Sequence, residues 1–411
     1  MSGKNIIYAQ SGGVTSVINC SAYGVLKTAL GSGEFEKVFV SLYGVTGLLK
    51  EEIIDLTQED PGELEKISRL PGGFFGSCRK KLRTDEDFEL FFKILDAHDI
   101  GYFFYNGGND SMLTAKTVKE KAKEMGYDLK VVGIPKTIDN DLMETDFCPG
   151  YPTTARFNAI TFMESTLDVS AMHRDSTKVF IMETMGRHAG WIVASTSLFL
   201  PNRDVQIILF PEVPFDRERF LEEVERKVEK FGYCVVAVSE GIRWKETGDF
   251  VSKSDVKDEF GHEQLGKVGI KISNMVENEL KLKTHVAILD YVQRSARHSS
   301  TKVDVDVATS AGSKAVKLAL EGIDGVMVNV VRKNDEPYLW ELGYVDLEKV
   351  GGSDKERKLP KEYMTEDGFN ITEDFVRYAL PFVKDLDVSS INPPCIPKIE
   401  FKFVKKKVVQ Q

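Results

Sequence analysis

Gly133-Ile134-Pro135-Lys136-Thr137-Ile138-Asp139-Asn140-Asp141 closes an apolar run that begins at Leu129. The run reads as a buried strand, and the polar residues after it read as the loop at its carboxyl end. In an open α/β sheet that rim is where ligands bind. Alternate positions of an extended segment point the same way, so Thr137, Asp139 and Asp141 are expected along one wall. A carboxylate beside a hydroxyl and a cation can take a proton from an alcohol that attacks a phosphate. Taken alone, the stretch also reads as a surface loop with an Asx turn at Asp139-Asn140.

Working outward, strand-like runs alternate with helix-like ones. Strands are expected at 4–9, 37–42, 102–105, 129–134, 178–182, 205–209 and 233–238. Helices are expected at 15–30, 88–97, 111–125, 154–171, 188–200 and 215–230. Apolar strands covered by helices of this length predict an α/β fold with mostly parallel sheets and flanking helices. The charged, glycine-dotted stretch from Arg243 to Gln264 reads as a surface insertion. The pattern weakens after Pro337, and the basic run Lys402 to Lys407 reads as a solvated strand or arm.

Composition narrows the function. The chain has 411 residues, enough for two or three domains, and a formal net charge of -10. That balance argues against a nucleic-acid binder, which needs a basic footprint. Five cysteines are scattered with no C-x-x-C pair, the pattern of reduced thiols in the cytosol. The N-terminus reaches strand-like residues almost at once, which predicts no signal peptide. No run approaches the roughly 20 apolar residues that span a bilayer, so no membrane role is expected.

Most loops that follow strands carry glycine or ligand-type polar residues. Ser11-Gly12-Gly13 leads from a strand into a helix, where backbone N–H groups can approach an anion. It lacks both the P-loop ending and the G-x-G-x-x-G spacing, so a plain tight turn accounts for it equally well. Asn106-Gly107-Gly108-Asn109-Asp110-Ser111 repeats the arrangement, although Asp110 or Ser111 could be an N-cap. Gly72 to Gly76 precedes Arg79-Lys80, Met185-Gly186 precedes Arg187, and Tyr291-Val292-Gln293 precedes Arg294. Arginine suits phosphate because its planar fork binds two oxygens at once. Several anion-ready loops plus a carboxylate pair predict a phosphoryl donor and a phosphorylated acceptor.

In this combination, order and spacing, the chain resembles the phosphofructokinases from Ile6 to about Gly325. The motifs are Ser11-Gly12-Gly13 with Asn19, Gly107-Gly108, Thr137-Ile138-Asp139-Asn140-Asp141, Met185-Gly186-Arg187 and Gln293-Arg294. The resemblance implies two Rossmann-like domains with the active site in the cleft between them. Residues 1–150 plus about 294–345 would form the phosphoryl-donor domain. Residues 151–293 plus a C-terminal segment of about 346–411 would form the fructose 6-phosphate domain. Asp139 would be the base toward the C1 hydroxyl of fructose 6-phosphate. Thr137 and Arg187 would stabilise the migrating phosphoryl group. Asp141 would help hold Mg²⁺ and tune Asp139. Met185, Gly186 and Glu240 would contact the sugar phosphate. Tyr291 and Arg294 would grip the 6-phosphate, with Tyr291 where ATP-dependent members usually carry histidine. Gly12, Gly13 and Arg79 would contact the donor.

The family's sugar-phosphate site is shared between subunits, which implies a homodimer or homotetramer. Lys178 falls where an arginine commonly crosses from the neighbour, and His285 falls near another such arginine. Asn109 sits where an aspartate usually helps carry Mg²⁺, and an amide oxygen brings no charge.

Two positions bear on the donor. Asp110 and Lys136 stand where ATP-dependent members typically have glycine, and pyrophosphate-dependent members show both changes. A carboxylate at Asp110 would face the α-phosphate of ATP. Two like charges about 4 Å apart at an effective dielectric near 20 repel by roughly 4 kcal/mol, nearly three powers of ten in affinity. Lys136 adds a cation for the leaving or transferring phosphate. The bland alternative is a helix cap at Asp110 and a solvated lysine. The resemblance therefore implies a reversible pyrophosphate-dependent 6-phosphofructokinase in the cytoplasm. An ATP-dependent enzyme or a catalytically silent subunit of the same fold would be the alternatives. Tyr23 and Lys27 replace arginines that bind nucleotide effectors in the bacterial ATP-dependent branch, so weak or no allosteric control is expected.

Overall fold

The computed structural model describes residues 5–57, 59–257, 263–265, 267–352 and 355–384. The first half of the chain builds one sheet. Strand β1 (Asn5–Gln10) leads into helix α1 (Ile18–Ser32), and β2 (Val38–Ser41), β3 (Ile53–Asp55), α2 (Asp85–Ala97) and β4 (Ile100–Gly107) follow. Next come α3 (Asn109–Glu124) and β5 (Lys130–Pro135). Helix α2 starts where it does because Thr84 accepts from the Asp87 N–H and three acids fill the first turn.

Helix α4 (Tyr151–Met172) carries the chain to the second sheet. Strands β6 (Val179–Thr184), β7 (Gln206–Leu209) and β8 (Cys234–Ser239) are followed by the hairpin β9 (Lys253–Lys257) and β10 (Glu263–Leu265), then by β11 (Thr284–Ile288). The chain then returns. Helix α5 (Lys302–Leu320) lies on α1, and β12 (Val326–Asp335) and β13 (Tyr338–Asp346) extend the first sheet. Gly24 and Gly312 let α1 and α5 touch, since a Cβ at either would meet backbone of the other helix at 2.0 or 2.1 Å.

The first sheet has the order β13-β12-β5-β4-β1-β2-β3, parallel except at its two edge strands. The second has the order β11-β6-β8-β7 and is parallel throughout. Such strands are buried on both faces, which is why β4 and β8 read as continuous apolar runs. The mostly parallel α/β architecture expected from the sequence is what the chain adopts. Residues 359–383 pack into the core beside the second sheet through Leu359, Ile371, Phe375 and Phe382. Residues 385–411, with Cys395 and the basic run from Lys402, fall outside the described residues, and so do 258–262 of the expected surface insertion.

One helix prediction fails. Of residues 188–200 only Trp191–Ser195 is helical. Ser195 Oγ and Thr196 Oγ1 donate to the carbonyls of Ile192 and Val193, giving the backbone a local alternative to continuing the helix.

A buried carboxylate ties the two halves together. Asp304, in the first turn of α5, accepts from the N–H groups of Gly150 and Thr153 at 2.8 and 3.2 Å. It therefore caps α4 from another helix. Burial pushes its carboxyl up to about 6, against the pull of those donors and of Arg297.

Candidate active site

The strands set the site because their carboxyl ends face a common cavity. Loops after β1, β4 and β5 enter from the first sheet, and loops after β6, β8 and β11 enter from the second. The cavity has a volume of about 390 Å³. Of the residues singled out in the sequence, Gly12, Gly13, Arg79, Asn109, Asp110, Lys136, Thr137, Asp139, Asp141, Met185, Arg187, Glu240 and Arg294 all line it.

On one side are the glycine loops. Gly12 has φ +81, a conformation that favours glycine, and a Cβ there would sit 3.1 Å from the Lys136 Nζ. A Cβ on Gly13 would come within 2.8 Å of an Arg294 guanidinium nitrogen. Both glycines therefore make room for cations. Lys136 is buried, and its ammonium donates to the Gly13 carbonyl at 2.6 Å. Burial, then the neighbouring Arg294, bring its pKa down to about 7, opposed by Asp139 and Asp141. Lys136 is not the solvated lysine of the bland reading. Asp110 is not the helix cap either: the N-cap is Gly108, with no side-chain capping bond, and Asp110 Oδ1 lies 2.8 Å from the Lys81 Nζ.

The central loop is held from behind. Asn140 takes a left-handed conformation at φ 56. Its side chain donates to the Tyr378 hydroxyl at 3.0 Å and accepts from the Cys148 N–H at 2.9 Å. The Arg357 guanidinium donates to the Asn140 carbonyl at 2.9 and 3.0 Å, and the Arg357 N–H donates to the Asp141 carbonyl at 2.7 Å. This leaves Asp139 and Asp141 aimed into the cavity. Burial and then Asp141, Glu240 and Glu356 hold the Asp139 carboxyl well above the usual carboxylate range. Burial also raises Asp141. Asp139 and these three acidic neighbours crowd together in the cavity, which favours binding of a cation or a proton.

The second-sheet loops are tied to each other by Gln293. Its buried side-chain oxygen accepts from Asn158 Nδ2 at 3.1 Å and from the Met185 N–H at 3.3 Å. The Gln293 carbonyl accepts from Thr154 Oγ1. Arg294 stacks on the Tyr291 ring at 3.6 Å. Arg187 lies close enough to pull the Glu240 carboxyl down, although burial dominates and raises it.

Among the expected sugar-phosphate contacts, Gly186, Tyr291 and Lys178 do not line the cavity. Gly186 shapes its loop from behind, at φ 118, with its carbonyl accepting from Ser239 Oγ. Tyr291 is exposed and reaches the site only through Arg294. Lys178 lies just before β6, roughly 20 Å of strand away from Met185, and donates to the carbonyls of His173 and Arg174. Sequence reasoning missed Thr15, Lys81, His188 and Glu356. Glu356 arrives through a bridge pairing with Leu142. Burial, then Asp141, push its carboxyl up to about 7. No local motif marks it.

Two buried oxygens, Asn109 Oδ1 and Asp141 Oδ1, have no hydrogen-bond partner. Their other side-chain atoms bond each other, Asn109 Nδ2 donating to Asp141 Oδ2 at 2.9 Å. Orphaned oxygens of this kind suit a hard cation such as Mg²⁺. Among the described residues there is no cluster of three or more His, Cys, Asp or Glu side chains arranged to hold a metal unaided. Magnesium commonly completes its shell with substrate phosphate and water.

Residues 5–319 match the phosphofructokinase family. A Methylococcus capsulatus protein named pyrophosphate–fructose 6-phosphate 1-phosphotransferase is 44% identical over 394 residues, covering 94% of this chain and 93% of its own length. The crystal structure of a pyrophosphate-dependent phosphofructokinase from Marinobacter aquaeolei aligns with a TM-score of 0.83 at 43% identity, over 92% of this chain and 91% of that one. Another, from Nitrosospira multiformis, aligns with a TM-score of 0.84 at 40% identity over 92% of each chain.

Proposed function

The chain belongs to the phosphofructokinase family, and from its cavity we infer how it works as a pyrophosphate-dependent 6-phosphofructokinase. Pyrophosphate gives a phosphoryl group to the C1 hydroxyl of fructose 6-phosphate, reversibly, with fructose 1,6-bisphosphate and phosphate as products. The reaction belongs to glycolysis and, in reverse, to gluconeogenesis.

Asp139 takes the proton of the attacking hydroxyl. Its carboxyl is already biased toward holding a proton by burial and by three neighbouring acids, which suits a base that must give that proton back in the reverse direction. Thr137 donates its hydroxyl, and Arg187 its guanidinium, to the oxygens of the moving phosphoryl group. Gly12, Gly13 and Arg79 hold the rest of the donor. Met185, Glu240 and Arg294 orient fructose 6-phosphate, with Gly186 shaping the loop and Tyr291 stacked on Arg294. Since Arg294 also reaches Gly13, it faces the donor as well as the acceptor. Lys178 and a shared sugar-phosphate site belong to a homodimer or homotetramer, in which Lys178 reaches a neighbour's cavity. Enzymes of this family generally use Mg²⁺. Asp141, supported by Asn109, would hold it, and the ion would neutralise charge on the phosphate oxygens. Among the described residues no helix is long and apolar enough to cross a membrane. The buried free thiols of Cys20, Cys78, Cys148 and Cys234 suit a cytosolic enzyme.

One observation carries the choice of donor: Lys136 is buried between the donor glycines and the carboxylates, with Asp110 on the same wall. An activity matrix of pyrophosphate and ATP against fructose 6-phosphate, with Mg²⁺, tests it. Turnover with pyrophosphate that disappears in Asp139→Ala is expected. Turnover with ATP alone would refute the reading.

A further inference from the structure

An acid in a cavity for diphosphate is a liability. Asp110 stands at the start of α3, where the helix dipole and the free N–H groups would otherwise welcome an anion. Its carboxylate would repel pyrophosphate by the same physics that repels a nucleotide. The structure contains the compensation. Lys81 comes from the loop after Arg79, and its ammonium lies 2.8 Å from Asp110 Oδ1.

The placement of the pair has a second consequence. Lys81, Asp110, Gly12, Gly13, Arg79 and Ser111 border the main cavity and also a side recess of about 140 Å³. That recess runs back to Tyr105 and Thr114. Lys81 and Asp110 stand where the recess joins the main cavity, so a donor that extends from the glycine loops into the recess passes them. Resting on the pyrophosphate reading above, we propose that Lys81 is a donor-specificity residue. It offsets the Asp110 charge toward diphosphate, and the two side chains together narrow the mouth of the recess into which a longer donor would extend.

The claim differs from a role as a simple phosphate ligand. A ligand lysine contributes whether or not Asp110 is charged, whereas a compensating lysine matters only because Asp110 is. A double-mutant cycle separates the two. Lys81→Met is expected to raise the KM for pyrophosphate by about 30-fold, with the KM for fructose 6-phosphate changed less than about threefold. Adding Asp110→Asn to Lys81→Met is expected to recover about tenfold of the loss. Lys81→Arg, which keeps the pair, is expected to stay within about threefold of wild type. The fructose 6-phosphate KM reports that each variant is folded. A double variant as impaired as Lys81→Met, or worse, overturns the role assigned to Lys81 while leaving the donor reading intact. A wild-type enzyme that turns over ATP and ignores pyrophosphate overturns both.

Discussion

Lys81 Nζ and Asp110 Oδ1 are 2.8 Å apart at the edge of the donor cavity. The acid is therefore paired before any donor arrives. A lone carboxylate facing the α-phosphate of a nucleotide, as the sequence suggested, is only part of the picture. Part of its charge is answered by Lys81, and under the proposal above nucleotide exclusion would rest on the space the pair occupies as well as on repulsion.

Asp139 is the first residue to test. Asp139→Asn is expected to lower kcat by about 10² to 10⁴, the usual worth of a general base. The KM for fructose 6-phosphate should change only a few-fold, since the amide keeps the shape of the side chain. The variant should also melt a few degrees higher, because one of four crowded acids has gone. Steady-state kinetics with a thermal melt measures both. Retention of more than about a tenth of wild-type kcat would remove Asp139 from the proton transfer.

Glu183 gives a pH test away from the transferring atoms. It is buried at the end of β6 and accepts from the Gly269 N–H at 2.7 Å. Burial, opposed by that donor, pushes its carboxyl up from 4.5 to about 7. A raised acid binds its proton more tightly in the folded chain than in the unfolded one. Between pH 4.5 and 7 the folded state therefore holds more protons, and stability falls as pH rises through that window. The loss is about 3 kcal/mol at 1.36 kcal/mol per unit. Glu183→Gln keeps an acceptor for Gly269 and cannot ionise. It should be nearly neutral at the acid end and more stable than wild type above pH 7. Urea melts across the window check this, and parallel pH profiles for the two proteins would contradict it.

Regulation is expected to be slight. On α1 the Lys27 ammonium sits over the Tyr23 ring at 5.6 Å, where effector-binding arginines were absent from the sequence. Curves for fructose 6-phosphate should be hyperbolic, with half-saturation shifted less than about twofold by ADP or phosphoenolpyruvate. A sigmoidal curve straightened by ADP would count against it.

The parts of the site that the sequence revealed are those whose chemistry is written in consecutive residues. The loop from Lys136 to Asp141 follows its strand directly, so the sequence placed Thr137, Asp139 and Asp141 at the cavity, although the left-handed turn at Asn140 rather than an extended run aims the two carboxylates. The glycine turns after β1 and β4 were visible for the same reason. Glu356 was not, because it reaches Asp141 through pairing of residues 142 and 356, more than 200 positions apart. Arg357 and Tyr378, which hold Asn140 in its left-handed turn, are hidden likewise. Lys81 was passed over because a run of basic residues usually marks a solvated face, and only the folded chain brings Asp110 to it. The helix expected from 188 to 200 is shorter than its hydrophobic spacing suggested, and Ser195 and Thr196, where it stops, bond back onto the preceding turn, a local competition that spacing cannot register.

The most direct measurement is the ratio of kcat/KM for pyrophosphate to that for ATP, taken on the wild type and on the variant carrying both Asp110→Gly and Lys136→Gly. Under the proposed reading, removing the acid widens the mouth of the recess beside Lys81, and removing the buried lysine takes away a cation placed for diphosphate. The ratio should fall by about three powers of ten, through loss of pyrophosphate turnover and gain of ATP turnover. A ratio unchanged in the double variant would contradict the claim that these two side chains choose the donor.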